Sequence, residues 1–531
     1  MCLERRGKGM AKLDFLKDLK EMDNFTFTEN GAVALKSTGN SVLDAFGRLS
    51  AMQFEDDETI LTTFYKAFAE DKELAMRLLF YVRDIRGGQG MRRVFRVIAR
   101  NMAFNYPDLM IKNLDNFLFF GRGDDVICLL DTPIEKNVIK WVSDTLEQDI
   151  DAVKKGNFPS LLAKWLPSEN ASSMKTKYFA TKIRKGLGIS SKDYRKLLSK
   201  LREKIGVVES LMSQNKWDKI DFEKLPAKAA MIYSDAFMRH VQDNYTDYLK
   251  KLASGDAKVN SASLFPVDIV HKLRTFGRQI KLKDKYLMDA MWNALPNYFE
   301  GLEETGICCV DTSGSMSGLP IEVSTSLGIY CADKCRGPFK NHYISFSEKP
   351  ELIELKGDNI TDKLLSMPCF NPMNTNLEAV FDLILKTAVA NKTPQEDLPS
   401  KLYIISDMQF DEARGARDYW GRNTRKPEPF METMRKKFID AGYTMPAIVY
   451  WNVRDSKCGM FQETFEGENC AMVSGYSPSL FKSVIDGTEV EVEEVVTETG
   501  EIKRVEKQKI DPMVVMKTTL MNERYDRVVV K

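Results

Sequence analysis

The stretch that most constrains this chain lies at residues 305–318, where the apolar run Ile307-Cys308-Cys309-Val310 stops at Asp311-Thr312-Ser313-Gly314-Ser315. Four apolar residues closed by a turn and followed by a helical pattern read as a strand buried on both faces, hence a parallel sheet covered by helices. In an open α/β sheet, ligands sit outside the carboxyl ends of the strands, where strand order reverses. Asp311, Ser313 and Ser315 are expected at such an end. A carboxylate and two hydroxyls, with no Cys or His among them, suit Mg²⁺ or Mn²⁺ and argue against Zn²⁺.

Two later stretches can complete an octahedron. Asn374-Thr375-Asn376 opens a helical pattern at Leu377, Val380, Phe381 and Ile384, and the apolar strand 402–405 ends in Ser406-Asp407. The order Asp-x-Ser-x-Ser, then a Thr, then a strand-end Asp resembles the metal-ion-dependent adhesion site of von Willebrand factor A (vWA) domains. The resemblance implies a metal set of Asp311, Ser313, Ser315, Thr375 and Asp407, with carboxylates acting largely through bound water and one coordination position open to an anionic group. Met408 stands after Asp407 where that family often has Gly. Rival chemistries fit worse. A haloacid-dehalogenase-type phosphotransferase needs a second Asp at position 313, which is Ser; Gly314 and Gly318 flank Met316 rather than a nucleophilic Ser; and Gly87-Gly88-Gln89-Gly90 lacks the Lys-Ser/Thr of a phosphate loop.

At 531 residues the chain exceeds the size at which one core stops growing, so two domains are expected. No uncharged apolar stretch of about 18 residues occurs, and residues 1–6 do not begin a signal peptide, so a cytoplasmic protein with no membrane partner, and a monomer, is expected. Nine scattered cysteines, two of them inside the strand 307–310, read as reduced thiols in small apolar sites. Three histidines leave little material for a zinc site or a general base, and His240 reads as a surface or satisfied residue. A net charge of +1 gives no global attraction to nucleic acid, so any attraction must be local.

From residue 41 to about 297 the apolar spacing is helical, with segments at 57–69, 72–85, 91–101, 107–120 and 133–149. Gly87-Gly88 and Gly121 read as C-caps, and Asp124 or Asp125 as a helix start. Short connections predict antiparallel pairs stacked as a HEAT-like solenoid or ring. Two turns carry arginines: Arg83, Arg86, Arg92 and Arg93 around the glycine loop, and Arg122 at the next turn. Between residues 175 and 204, eleven bases stand against two acids; Lys175, Lys177, Lys182, Arg184, Lys185, Arg195 and Lys196 are among them, with Tyr178, Phe179 and Tyr194 interleaved. Solvated helix faces and a polyanion-binding surface both account for this pattern.

A helical-repeat region followed by a vWA-type motif resembles the TROVE-domain Ro ribonucleoproteins, and more closely their bacterial, fungal and phage relatives. The stretches that carry the likeness are Arg83 to Gly88, Lys164-Trp165-Leu166-Pro167-Ser168, Lys182 to Gly188, and Asp311 to Ser315. The resemblance implies RNA binding by the helical part. The expected layout is helical repeats at 1–300, a vWA-like (Rossmann-like) domain with a mainly parallel sheet at 301–487, and a hairpin plus terminal helix at 488–531 packing back on the helices or covering a sheet edge. Gln409 to Lys426 is a loop placed to gate the metal site, with Asp411 and Glu412 read as solvated. Three functions follow: a non-catalytic RNA-binding scaffold that captures an anion at the metal, an adaptor that binds a partner's carboxylate there, or a metal-dependent phosphoesterase.

Overall fold

The computed structural model describes residues 24–28, 30, 32–261, 263–275, 282–301, 305–368, 376–410, 430–455, 459, 469–496 and 502–530. They form two compact units interleaved along the chain. Met1–Glu55, Asn297–Gly357 and Asp362–Thr519 belong to one, and Asp56–Pro296, Asp358–Thr361 and Leu520–Lys531 to the other. A single cut near residue 300 therefore misses three exchanged segments: the amino-terminal one in the sheet unit, and Asp358–Thr361 and the carboxyl-terminal one in the helical unit. No described helix is long and apolar enough to cross a membrane.

The sheet unit begins with a small antiparallel hairpin, β1 (Phe25–Phe27) and β2 (Val33–Leu35). Its main sheet has six strands: β3 (Ile307–Asp311), β4 (His342–Phe346), β5 (Leu352–Glu354), β6 (Lys401–Ser406), β7 (Ala447–Asn452) and β8 (Cys470–Ser474). They lie in the order β5-β4-β3-β6-β7-β8. All pairings are parallel except the antiparallel edge β4–β5. Counted within the sheet this is the doubly wound order 3-2-1-4-5-6, with the reversal point between β3 and β6. β3, β6, β7 and β8 are buried at every position, which explains their continuous apolar character.

The helix after β3, Leu319–Lys334, packs so closely that a Cβ on Gly328 would meet Val310 Cγ2 at 2.3 Å. Gly318 enters that helix at φ +88°, a conformation open to glycine and strained for other residues. The carboxyl-terminal hairpin pairs β9 (Thr488–Val496) with β10 (Ile502–Ile510), in a register that sets Glu491 opposite Lys507 and Glu494 opposite Arg504. That opposition of acids and bases matches the sequence reading. Asp511 then caps the helix Pro512–Leu520, accepting from the amides of Met513 and Val514 at 2.8 and 3.2 Å.

In the helical unit the first helices are Asp57–Glu70, Lys72–Arg83 and Arg92–Asn105, the first two capped by Asp56 and Asp71. Three local expectations change. The helix expected over 72–85 stops at Arg83, ahead of the glycines. The segment 107–120 divides at Asn113 into Pro107–Lys112 and Leu114–Phe120. Asp124 and Asp125 lie within a 3₁₀ segment, Gly123–Leu129, rather than opening an α-helix.

The chain's end packs at both of the first two places. Asn113 donates to the Val529 carbonyl at 2.8 Å and accepts from the Val529 amide at 3.0 Å. Asp84, fully buried, receives Arg524 Nε and Nη2 at 2.5 and 2.9 Å and Tyr525 Oη at 3.2 Å. Gly88 has no room for a side chain, because a Cβ would meet the Tyr81 carbonyl at 2.0 Å, and a Cβ on Gly87 would press on Arg524 Cδ at 2.8 Å. The Arg83-to-Gly88 turn is thus a socket for residues 520–530.

Candidate functional site

β3 and β6 end side by side at the reversal point, which brings Asp311 and Asp407 to one rim. Both are buried, at 0% and 1% exposure. Asp311 Oδ1 accepts the Ser313 amide at 2.8 Å, and Asp311 Oδ2 accepts Ser406 Oγ at 2.5 Å. Ser313 Oγ and Ser315 Oγ are 3.1 Å apart, and Ser315 faces solvent. Ser406 Oγ also accepts the Met408 amide at 3.1 Å, and Asp407 Oδ1 accepts that of Gln409 at 3.2 Å. Met408 takes φ +64° and buries its side chain in the core, so the left-handed turn expected of a Gly is kept by another residue.

Burial, and secondarily the neighbouring Asp407 charge, pushes the Asp311 carboxyl up to about 7. Burial raises Asp407 as well, against the hydrogen bond from Ser315 and the positive charge of Arg454. Two desolvated carboxylates side by side require a proton or a cation between them. Arg454 donates Nη1 to the Ser315 carbonyl at 2.7 Å, so a fixed positive charge already stands at the rim. Register continues the polar row across the sheet from Ser406 to Asn452 and Ser474. Asn452 Nδ2 is fully buried and has no acceptor among the described residues.

The structure thus brings together Asp311, Ser313, Ser315 and Asp407 of the expected set; Thr375 lies outside the described residues, as do Asp411 and Glu412 and most of the expected gating loop. Ser406 and Arg454 were missed by the sequence reading. Ser406 was findable, since it precedes Asp407 at the strand end, whereas nothing local marks Arg454. Among the described residues no three His, Cys, Asp or Glu side chains gather as metal ligands, so a cation here must take hydroxyl donors. That donor set of two carboxylates and serine hydroxyls, open on the Ser315 side, fits a hard divalent ion. The histidines stand apart: His240 stacks on Trp217 at 4.0 Å, and His342 contacts the Lys340 carbonyl. The described cysteines are free thiols, and Cys308, Cys309, Cys331, Cys335 and Cys470 are buried as packing residues.

The twelve basic residues expected to meet RNA divide by partner. Arg83 is a correction: at 2% exposure, with its guanidinium on Asp125 at 2.7 and 2.8 Å, it is a core residue that cannot reach a phosphate. Arg92 and Arg122 share Asp124, Arg93 pairs with Asp57, Lys182 with Asp131 and Glu135, and Arg184 with Glu169 at 2.7 Å. Arg122 also lies over the Trp165 ring at 3.9 Å. Tyr194, interleaved with those basic residues in the sequence, is buried and donates to the Pro167 carbonyl at 2.9 Å, so it is not open to stack on a base.

Arg86, Lys175, Lys177, Lys185, Arg195 and Lys196 pair with no carboxylate among the described residues. On the helix Ser191–Ile205, Tyr194, Leu198 and Leu201 are buried, while Lys192, Lys196, Lys200 and Lys204 are exposed at i, i+4 spacing. None of the four pairs with a carboxylate among the described residues, and the row they form is about 18 Å long at 1.5 Å per residue. Like charges at that spacing cost a helix about 0.2–0.5 kcal/mol per pair.

Two family models cover most of the chain. Residues 28–120 and 135–297 match the Domain of unknown function DUF2828, and residues 305–520 match the Domain of unknown function DUF7788. The chain is 33% identical over 512 residues to an uncharacterised protein of Acanthamoeba polyphaga mimivirus, covering 88% of this chain and 86% of the viral one. Identity at that level over nearly the full length of both proteins places the chain in the family of this viral protein, with a DUF2828 region followed by a DUF7788 region.

Proposed function

We propose that the protein is a non-catalytic, RNA-binding scaffold whose sheet unit is a vWA-like domain holding Mg²⁺ or Mn²⁺. The observation that carries the metal half is the convergence of Asp311, Ser313, Ser315 and Asp407 at the reversal point of a doubly wound sheet. Asp311, Ser313, Ser315 and Asp407 would hold the cation, with Thr375 as the further hydroxyl the vWA likeness supplies. A bound divalent ion supplies a positive centre with an exchangeable position that grips an anion. Ser406 orients Asp311 through its 2.5 Å bond, and Arg454 adds a second positive charge beside the Ser315 rim. An incoming phosphate or carboxylate therefore meets two positive groups.

The RNA half rests on the unpaired lysine row and the free Lys175, Lys177, Lys185 and Arg195, in a helical unit read as HEAT-like and resembling Ro proteins. Phosphates would replace the missing carboxylates, releasing counterions as they do so. Mobility of labelled RNA with the full chain is the test. Reversing Lys196 and Lys200 to Glu is expected to abolish the shift, because both side chains are exposed and pair with no carboxylate among the described residues. Lys182 and Arg184 are poorer choices, since reversal there also breaks their ion pairs. A shift retained in the Lys196→Glu, Lys200→Glu protein removes the lysine row as the RNA surface; no shift with the wild-type chain removes the RNA assignment and leaves the adaptor reading, in which the metal site takes a partner's carboxylate.

A further inference from the structure

In the helical unit, the socket that receives the chain's end also builds a hollow of about 470 Å³. Arg86, Asp115, Phe119, Ser160, Leu161 and Arg524 line it. Its size falls within the roughly 300–1,000 Å³ of small-ligand sites. The apolar part is solvent-facing: Phe119 is 37% and Leu161 43% exposed. The Arg527 guanidinium rests on the Phe119 ring at 3.8 Å, with that of Arg524 at 5.0 Å.

The charges here are answered unequally. Arg524 is matched by the buried Asp84. Asp115 accepts Trp141 Nε1 at 2.6 Å and faces Arg527. Arg527 donates Nε to the neutral Asn116 Oδ1 at 2.7 Å. Arg86 is exposed and its guanidinium bonds only the Phe119 carbonyl, at 3.3 Å, so its positive charge has no carboxylate partner among the described residues. The hollow combines an aromatic ring under a guanidinium, an exposed leucine, and one free arginine at the edge. Nucleobases stack on aromatic and guanidinium planes, and an arginine fork matches phosphate oxygens.

We propose that this hollow is a nucleotide subsite that takes one base and its phosphate from a single nucleic-acid strand, the base against Phe119 and Leu161 and the phosphate on Arg86. It deepens the RNA reading above but uses none of the lysine row, so the two fail separately. The carboxyl-terminal segment belongs to the site, because Arg524 and Arg527 come from it.

The test uses the full chain and two fluorescein-labelled probes, an eight-residue oligouridine and a 20-base-pair RNA duplex, followed by anisotropy. Arg86→Ala and Leu161→Asp, both at exposed positions, are expected to weaken oligouridine binding at least fivefold and to leave duplex binding within twofold. Arg86→Lys, which keeps the charge and loses the planar fork, is expected to fall between. Photocrosslinking of an oligouridine carrying one 5-iodouridine is expected at Phe119 or in residues 520–530. Unchanged oligouridine affinity in both variants, with duplex binding intact, overturns the subsite and leaves the RNA reading standing. Failure of both probes to bind the wild-type chain overturns the subsite and the RNA reading together, and failure of oligouridine alone overturns the subsite. Displacement of oligouridine by hexaglutamate but not by uridine monophosphate overturns the nucleotide assignment in favour of an acidic peptide.

Discussion

Replacing Lys192, Lys196, Lys200 and Lys204 together by Gln removes the unpaired row without disturbing the buried face of its helix, which is Tyr194, Leu198 and Leu201. Each lysine that meets a phosphate contributes about 0.7 to the slope of log affinity against log salt on single strands. Four contribute roughly 2.8, so between 50 and 200 mM salt the wild-type protein should lose about fiftyfold more affinity than the variant. Three like-charge i, i+4 neighbours are removed at the same time, which should stabilise the isolated helix by about 0.6–1.5 kcal/mol. Equilibrium anisotropy with labelled RNA across a salt series reads the first effect, and thermal unfolding reads the second. The two point in opposite directions, and that separates binding from folding. A variant whose salt slope equals the wild-type slope, or one that loses affinity only because it unfolds, refutes the reasoning.

Three further outcomes follow from the geometry. Arg83→Met leaves Asp125 buried with one guanidinium fewer, Arg96 being the one that remains, and should cost about 3 kcal/mol or more in denaturant unfolding; a loss under about 1 kcal/mol would show that the pair is not desolvated. Because Asp311 titrates near 7 when folded and near 4 when unfolded, the folded protein binds more protons between those values. Metal-free stability should therefore fall as pH rises from 4 to 7 and flatten in Asp311→Asn, while added Mn²⁺ should raise the melting temperature more at pH 8 than at pH 5.5; a metal-free curve that is flat or rising over that window would oppose this. Asp84→Asn weakens the charge that holds Arg524, so hydrogen exchange at residues 520–530 should accelerate with little change in β3 and β6; equal protection in both proteins would show that the Asn113 contacts to Val529 suffice.

The parallel sheet and its rim were legible because burial on both faces writes itself as an unbroken apolar run, and because ligand-bearing side chains follow such runs directly. Asp311, Ser313, Ser315 and Asp407 were found in this way. Local periodicity also placed the hairpin and the Asp511-Pro512 cap. Long-range partners were not legible. Nothing within Arg83 to Gly88 announces that Arg524 and Tyr525 complete its hydrogen bonds, and so Gly87 reads as part of a helix cap rather than as a residue set against a side chain more than four hundred residues away. Composition counted the bases between 175 and 204 correctly but missed Glu169, Asp131 and Glu135, which lie outside that window and neutralise Arg184 and Lys182. Charge counting by sequence window overstates a basic surface whenever the neutralising acids come from other segments.

The most direct test is calorimetric titration of Mn²⁺ into the metal-free full chain at pH 8, alongside Asp311→Asn and the Ser313→Ala, Ser315→Ala double variant. The account predicts one saturable site per chain, lost with Asp311→Asn and at least tenfold weaker in the serine variant. Heats that never saturate, or binding that persists unchanged in Asp311→Asn, would contradict it.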